Sequence, residues 1–241
     1  MTATRYLIVN ADDFGQSSGV NRGIIQCVEH GIVTSASLMV RWPAAVAAAE
    51  YARAHPGLSV GLHLDFGEWT CRDGEWAPVY AVVAEDDAAG VEAEISRQLE
   101  LFRTLVGQEP THLDSHQHVH RAGPARSVLL QASRRLGVPL RHFGPARYCG
   151  EFYGQTKDGL PWPEGISVET LTQILTALPA GTTELGCHPG LGDDVDSMYR
   201  SERAQEVPVL CDPRIREALT KEGIELRSFR DVNSLLGSHL A

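Results

Sequence analysis

Short apolar or β-branched runs alternate with longer amphipathic ones along almost the whole chain, and this alternation restricts the fold more than any other feature. The spacing predicts strands at Tyr6–Asn10, Thr34–Val40, Leu58–Leu64, Thr111–Asp114, Val138–Phe143, Thr183–His188 and Ile224–Phe229. Helical patterns fall between them, at Ser17–His30, Pro43–His55, Gly90–Val106, Ala122–Leu136, Ser167–Leu178 and Pro213–Lys221. Gly31, Gly57, Gly107, Gly137 and Gly223 each follow a helical run, where a left-handed C-cap is wanted. Repeated β-α-β units imply parallel strands with right-handed crossovers. About seven such units suit an α/β fold closed into a (β/α) barrel, with an open doubly wound sheet as the alternative. No linker or low-complexity tract divides the chain, so a single domain over residues 1–241 is expected. The least regular stretch, Gly144–Gly165, reads as a long functional loop.

In parallel α/β folds the C-terminal ends of the strands gather on one face, where reactive groups are usually placed. Here that rim is polar. "YLIVNADDF" ends with Asp12 and Asp13, "LSVGLHLDF" with His63 and Asp65, "THLDSHQHVH" with Asp114 and His116, and "TTELGCHPG" with Glu184 and His188. Each element has a bland reading: an Asp pair as turn or cap chemistry, a lone histidine as a satisfied core residue. Those readings would have to hold independently at four strand ends, and the concurrence favours a metal site. The stretch "HLDSHQHVH", residues 112–120, sharpens this. On a strand, His112, Asp114, His116, His118 and His120 would share a face; on a helix, His112, His116 and His120 would.

Several chemistries are excluded. "GQSSGVNRG" lacks both the G-K-[ST] of a phosphate loop and the spacing of a dinucleotide fingerprint. His116 and His120 enclose Gln117 rather than the glutamate of an H-E-x-x-H helix, and Pro110 and Gly123-Pro124 discourage a helix through the cluster. There is no G-x-S-x-G nucleophile motif. A net charge of −10 argues against nucleic acid and anionic membrane as partners. Five dispersed cysteines without a C-x-x-C pair read as reduced thiols. With no secretion signal and no spanning apolar run, a cytoplasmic protein is expected.

The motifs "LIVNADDFG", "GIVTSASLMV", "VGLHLDF", "PTHLDSHQHVH" and "ELGCHPG", in this order, resemble the YdjC-like carbohydrate deacetylases, which include the chitooligosaccharide deacetylases. The resemblance runs from residue 6 to about residue 190, with the terminal "LRSFRDV" also similar. It implies a distorted, polysaccharide-deacetylase-like (β/α) barrel, one divalent cation, and hydrolysis of an N-acetyl group on a sugar. By resemblance, Asp13, His63 and His116 would be the metal ligands, Asp12 the catalytic base and His188 the acid. Gln117 stands where the family often has another histidine and is not expected to be a ligand. The family implies Mg²⁺, whereas two imidazoles and a carboxylate also suit Zn²⁺. His188 has the histidine pKa of an acid working near neutrality. His118 and His120 are expected behind the ligands or along the sugar pocket, and His112 and Asp114 are expected to orient the ligands. Trp42, Trp69, Trp76, Tyr153 and Trp162 are candidates to stack on sugar faces. The expected partner is a small acetylated sugar, and self-association as a homodimer stays open. The rival readings are a metal-dependent hydrolase of another amide or ester, and a non-catalytic carbohydrate-binding protein on the same fold.

Overall fold

The computed structural model describes residues 4–72, 74–84, 86–192, 194–195 and 197–232. Among the described residues, nine strands and seven α-helices follow one another. The strands are β1 (Arg5–Phe14), β2 (Ser35–Leu38), β3 (Ser59–Leu64), β4 (Gly67–Arg72), β5 (Glu75–Ala81), β6 (Leu113–Ser115), β7 (Arg147–Cys149), β8 (Gly181–Cys187) and β9 (Ile224–Leu226). The helices are α1 (Ser18–Glu29), α2 (Ala45–Ala54), α3 (Ala88–Val106), α4 (Gly123–Leu136), α5 (Val168–Ala177), α6 (Arg200–Leu210) and α7 (Pro213–Glu222). Seven strands form one parallel sheet in the order β6-β3-β2-β1-β8-β7, with β9 also on β1. β9 pairs with Arg5–Leu7, and β2 with Asn10–Phe14, so they divide one edge of the long first strand between them.

The sheet is rolled rather than flat, and Arg141 shows it. Its guanidinium lies 2.8 Å from Asp114 on β6 and 2.7 Å from Glu184 on β8. Those strands are four places apart in the sheet, which on a flat sheet would separate them by ~19 Å. Leu140 continues the curl by bridging to Leu113, while β7 closes on β8 from the other side. This is the distorted barrel expected from the sequence, and the open doubly wound alternative is ruled out.

Alternation along the strands sorts the residues into two environments. Leu7, Val9 and Ala11 join the main apolar core with residues from the helices, such as Ile24, Leu99, Leu129 and Leu175. On the other face of β1, Ile8 packs with Phe229 and Val232, so the chain's C-terminal segment supplies an apolar floor. Above that floor Asn10, Ser37 and Asp114 are buried and hydrogen-bonded to one another through Ser37. The rolled interior is thus apolar at one end and polar at the other.

Ser17, Asp87, Ser167 and Asp212 cap the N-termini of α1, α3, α5 and α7 with their side chains. Gly107, Gly137 and Gly223 are left-handed C-caps as expected, but Gly31 and Gly57 are not, because α1 and α2 end on His30 and His55 instead. Three further expectations change. The strand expected at Val138–Phe143 shrinks to the single bridge at Leu140, since Pro139 offers no amide to a ladder. The antiparallel hairpin β4–β5 and helix α6, which carries Pro208 inside it, have no counterpart in the periodicity. The stretch 144–165 contains β7 and the start of a 3-10 turn, Pro163–Ile166, rather than an unbroken loop. The five cysteines are free thiols. No helix among the described residues is long and apolar enough to cross a membrane.

Candidate metal centre and active site

Asp12 and Asp13 are adjacent and should point to opposite faces of β1. Both line the same cavity. The pairing of β1 with β2 shifts register between Ala11 and Phe14, and Asp13 adopts φ 67°, left-handed backbone that aspartate tolerates better than most residues. The irregularity turns Asp13 in beside Asp12.

Asp13 Oδ1 lies 3.2 Å from His63 Nε2 and 3.1 Å from His116 Nδ1, and the side chains of all three are buried. Asp13 Oδ2 accepts from Arg203 at 2.6 Å, which leaves Oδ1 to the histidines. His63 Nδ1 donates to Asp114 Oδ1 at 2.8 Å. That bond presents Nε2 toward Asp13, the carboxylate–histidine arrangement by which a ligand's tautomer is fixed. Asp114 therefore orients His63, whereas the side-chain bonds of His112 go elsewhere. His112 bonds Ser37 and Thr111, lies against Gly61 and stacks on Phe229 at 3.8 Å between centroids.

One carboxylate oxygen and two imidazoles, with donor atoms within 4.8 Å of one another, suit a divalent cation. His116 meets Asp13 through Nδ1, while its Nε2 is buried with no hydrogen-bond partner. Asp12, His63 and Asp114 form a second acidic grouping, but it already holds its cation in Arg141.

Arg141 was not distinguished by sequence reasoning, and it organises the site. It donates to Asp12 Oδ2 at 2.6 Å and Oδ1 at 2.7 Å, a two-pronged grip on that carboxylate, and also pairs with Asp114 and Glu184. Asn10 adds a 2.8 Å bond to Asp12 Oδ1. Burial alone would raise the Asp12 carboxyl, and Arg141 together with the neighbouring His63 outweighs it, holding Asp12 below its usual range. Burial likewise opposes ionisation of Asp13, and Arg203 and His116 hold it well below normal. Burial raises Glu184 to about 7, the nearby guanidinium only partly offsetting it. Arg203 was missed too, because it lies on the unanticipated α6.

His188 lies across the cavity, its Nε2 3.8 Å from Asp12 Oδ2. Its backbone N–H donates to the buried Glu206, which also accepts from Tyr199. Burial lowers the His188 pKa to about 4, the nearby Asp12 only partly opposing it, so the resting imidazole is neutral. The expectation that an ordinary histidine pKa makes it an acid near neutrality is corrected accordingly.

The cavity has a volume of about 410 Å³. Tyr148, Tyr153 and Lys157 from the 144–165 stretch line it, together with Glu68 and Trp76 from the hairpin. Gln117 lines the same cavity. Its amide bonds both N and O of Trp69, tying the hairpin to the His116 turn. Trp42 bonds Asp65 and packs edge-on against Tyr80, a structural role. Trp162 borders a neighbouring groove shared with Tyr153 and Gln155.

A sequence model of the YdjC-like protein family matches residues 6–221. The chain belongs to the YdjC-like family. A carbohydrate deacetylase of Geobacillus stearothermophilus is 33% identical, the alignment covering 96% of this chain and 99% of that one. A chitooligosaccharide deacetylase of Klebsiella pneumoniae strain 342 is 34% identical over 95% of this chain and 99% of its own. Among solved structures, a family 4 carbohydrate esterase from Streptomyces lividans superposes with a TM-score of 0.56 at 15% identity, covering 93% of each chain. That likeness shows the shared fold of this YdjC-like chain.

Proposed function

We propose that this protein is a metal-dependent carbohydrate N-deacetylase that releases acetate from a neutral N-acetylated amino sugar, an N-acetylglucosamine-containing oligosaccharide or glycoconjugate. The observation that carries this reading is the placement of Asp12. Its carboxylate is held ionised by Arg141 immediately beside the Asp13–His63–His116 set, on the wall of an open cavity. Protein relatives named for deacetylating carbohydrates, aligned along nearly their full length, support the substrate class.

Amide hydrolysis needs an activated water, stabilisation of the developing oxyanion and a proton for the departing amine. Asp13, His63 and His116 would hold a divalent cation, which when bound would acidify a water and polarise the acetyl carbonyl. Asp12 takes the proton of the attacking water. Arg141 keeps that carboxylate fixed and ionised in the resting enzyme. His188, neutral at rest, serves the leaving amine only after receiving a proton, and Asp12 is the acidic neighbour positioned to supply it. Mg²⁺ is the cation implied by the family resemblance, and Zn²⁺ is the alternative favoured by two imidazoles.

Acetate release from a panel of N-acetylated and O-acetylated sugars, with chelated and metal-reconstituted protein, tests the reading. Turnover should require added metal and vanish with chelator. Asp12→Asn should retain metal and lose about 10²–10⁴-fold in turnover, as for a general base. Metal binding by Asp12→Asn with near-normal turnover would make Asp12 a structural residue and end this mechanism.

A further inference from the structure

A second group of imidazoles lies outside the ligand set. His118 and His120 come from the 3-10 turn His116–Arg121, and His142 follows Arg141 directly. The three come together through the fold: ring centroids are 5.1 Å apart for His118 and His142, 5.6 Å for His120 and His142, and 5.9 Å for His118 and His120. Each offers one ring nitrogen, and these nitrogens all lie within 4.8 Å of one another. His118 Nδ1 and His142 Nε2 are 3.5 Å apart. Two nitrogens bound tetrahedrally at about 2.0–2.1 Å from one zinc ion are separated by ~3.3–3.4 Å.

His120 carries the independent observation. Its ring is fully buried and held by Ser115, whose Oγ lies 2.7 Å from Nδ1 and accepts the His120 backbone N–H at 3.0 Å. With Nδ1–H donating to that Oγ, the ring is fixed and Nε2 keeps its lone pair. Nε2 is buried and has no partner; the Arg141 backbone carbonyl lies near the ring without forming a bond of normal geometry. An orphaned imidazole nitrogen in a buried ring held by a neighbouring hydroxyl matches a metal ligand supported from behind.

We propose that His118, His120 and His142 form a second cation site, separate from Asp13–His63–His116, which takes a nitrogen-preferring first-row dication such as Zn²⁺ and rejects Mg²⁺. The selectivity follows from the donors. The group contains three imidazoles and no carboxylate, and Mg²⁺ demands oxygen. Arg141, close by in sequence and space, adds positive charge that only a strongly binding dication overcomes. The bound ion would join the turn carrying His116 to the segment carrying Arg141, stiffening two parts of the catalytic site. The proposal does not depend on the deacetylase reading.

The test uses untagged full-length protein, stripped of metal and dialysed against Zn²⁺ or Mg²⁺, with bound metal counted by atomic emission. Wild type should hold two equivalents of zinc and no more than one of magnesium. His118 and His142 both have left-handed backbone, at φ 56° and 67°, so asparagine is the least disturbing replacement. His118→Asn and His142→Asn should each hold one zinc. His63→Gln should also hold one, and its zinc X-ray absorption should show three imidazole nitrogens at about 2.0–2.1 Å. A single zinc in wild type would overturn the proposal, as would a second zinc that survives both asparagine variants. Should either variant fail to fold, wild-type stoichiometry and the His63→Gln spectrum decide.

Discussion

Replacing Arg141 with methionine removes the guanidinium shared by Asp12, Asp114 and Glu184, all of them buried. Adding three broken ion pairs would overstate the cost, because the three carboxyls have different alternatives. Glu184 already sits near 7 with the guanidinium present, and without it would become neutral at little expense. Asp114 keeps His63, whose pKa is raised to about 10 because Asp114 and Asp12 outweigh the lowering effect of burial. Asp12 keeps the Asn10 amide, distant His188 and a share of the His63 charge, which is already engaged by Asp114. The net effect is therefore that of one buried carboxylate stripped of its partner, about 3–5 kcal/mol. For a chain of this size that corresponds to roughly 6–20 °C in melting temperature.

Urea unfolding followed by circular dichroism, with thermal melting as a second measure, would give the stability of Arg141→Met. Arg141→Lys should fall between wild type and the methionine variant, because an ammonium preserves charge but not the two-pronged geometry. Acetate release should drop for both variants, as Asp12 loses its fixed orientation. Melting of Arg141→Met within a degree or two of wild type, with turnover intact, would refute the assignment of this guanidinium as the hub of an ionised network.

The same geometry makes three shorter predictions. Asp114→Asn should weaken metal binding by about 10–100-fold in equilibrium dialysis, because His63 loses the partner that orients it; unchanged affinity would show that His63 needs no support. Burial lowers His112 to about 3, so its neutral form stabilises the fold fully above ~6.5, and that stability is lost as pH falls toward 3. Between pH 6.5 and 5 the loss is about 2 kcal/mol, which His112→Gln should escape; equal pH slopes for variant and wild type would contradict this. Arg203 is committed to Asp13, the chain is acidic overall, and Asp12, Asp13 and Glu68 line the cavity against the opposing charge of Lys157; turnover should therefore favour neutral acetylated sugars over phosphorylated ones, and a preference for phosphorylated members of the panel would overturn that charge argument.

Much of the site was legible because topology carries it. Parallel strands deliver their C-terminal ends to one rim, so Asp12, Asp13, His63, Asp114 and Glu184 could be grouped from strand periodicity alone. What periodicity cannot express is backbone departing from the strand. That Asp12 and Asp13 face one cavity depends on a left-handed residue at the end of β1, and no pattern of residue types marks it. Arg141 was invisible for another reason: a single arginine after "VPL" looks like any exposed charge until the sheet rolls and brings three carboxylates from other strands around it. Arg203 fell out of view with α6, whose amphipathic pattern is weakened by Pro208 and buried charges.

The histidine-dense stretch 112–120 shows the same limit in one place, since neither strand nor helix spacing holds through it. The strand lasts only from Leu113 to Ser115, and left-handed Gln117 and His118 then break any single face. The imidazoles consequently enter three environments. His112 is turned into the barrel interior, neutral and stacked on Phe229. His116 meets Asp13, where carboxylates and guanidinium groups form an ionised network. Burial lowers His118 to about 3 and His120 to about 4, and lowers half-buried His142 to about 4, leaving uncharged nitrogens beside a permanent cation, Arg141. Residues of one kind, a few positions apart, are separated by chemistry because the backbone reverses its handedness between them. Histidine density therefore marks the region of the site, whereas the role of each ring follows from which carboxylate, hydroxyl or aromatic face the turn presents to it.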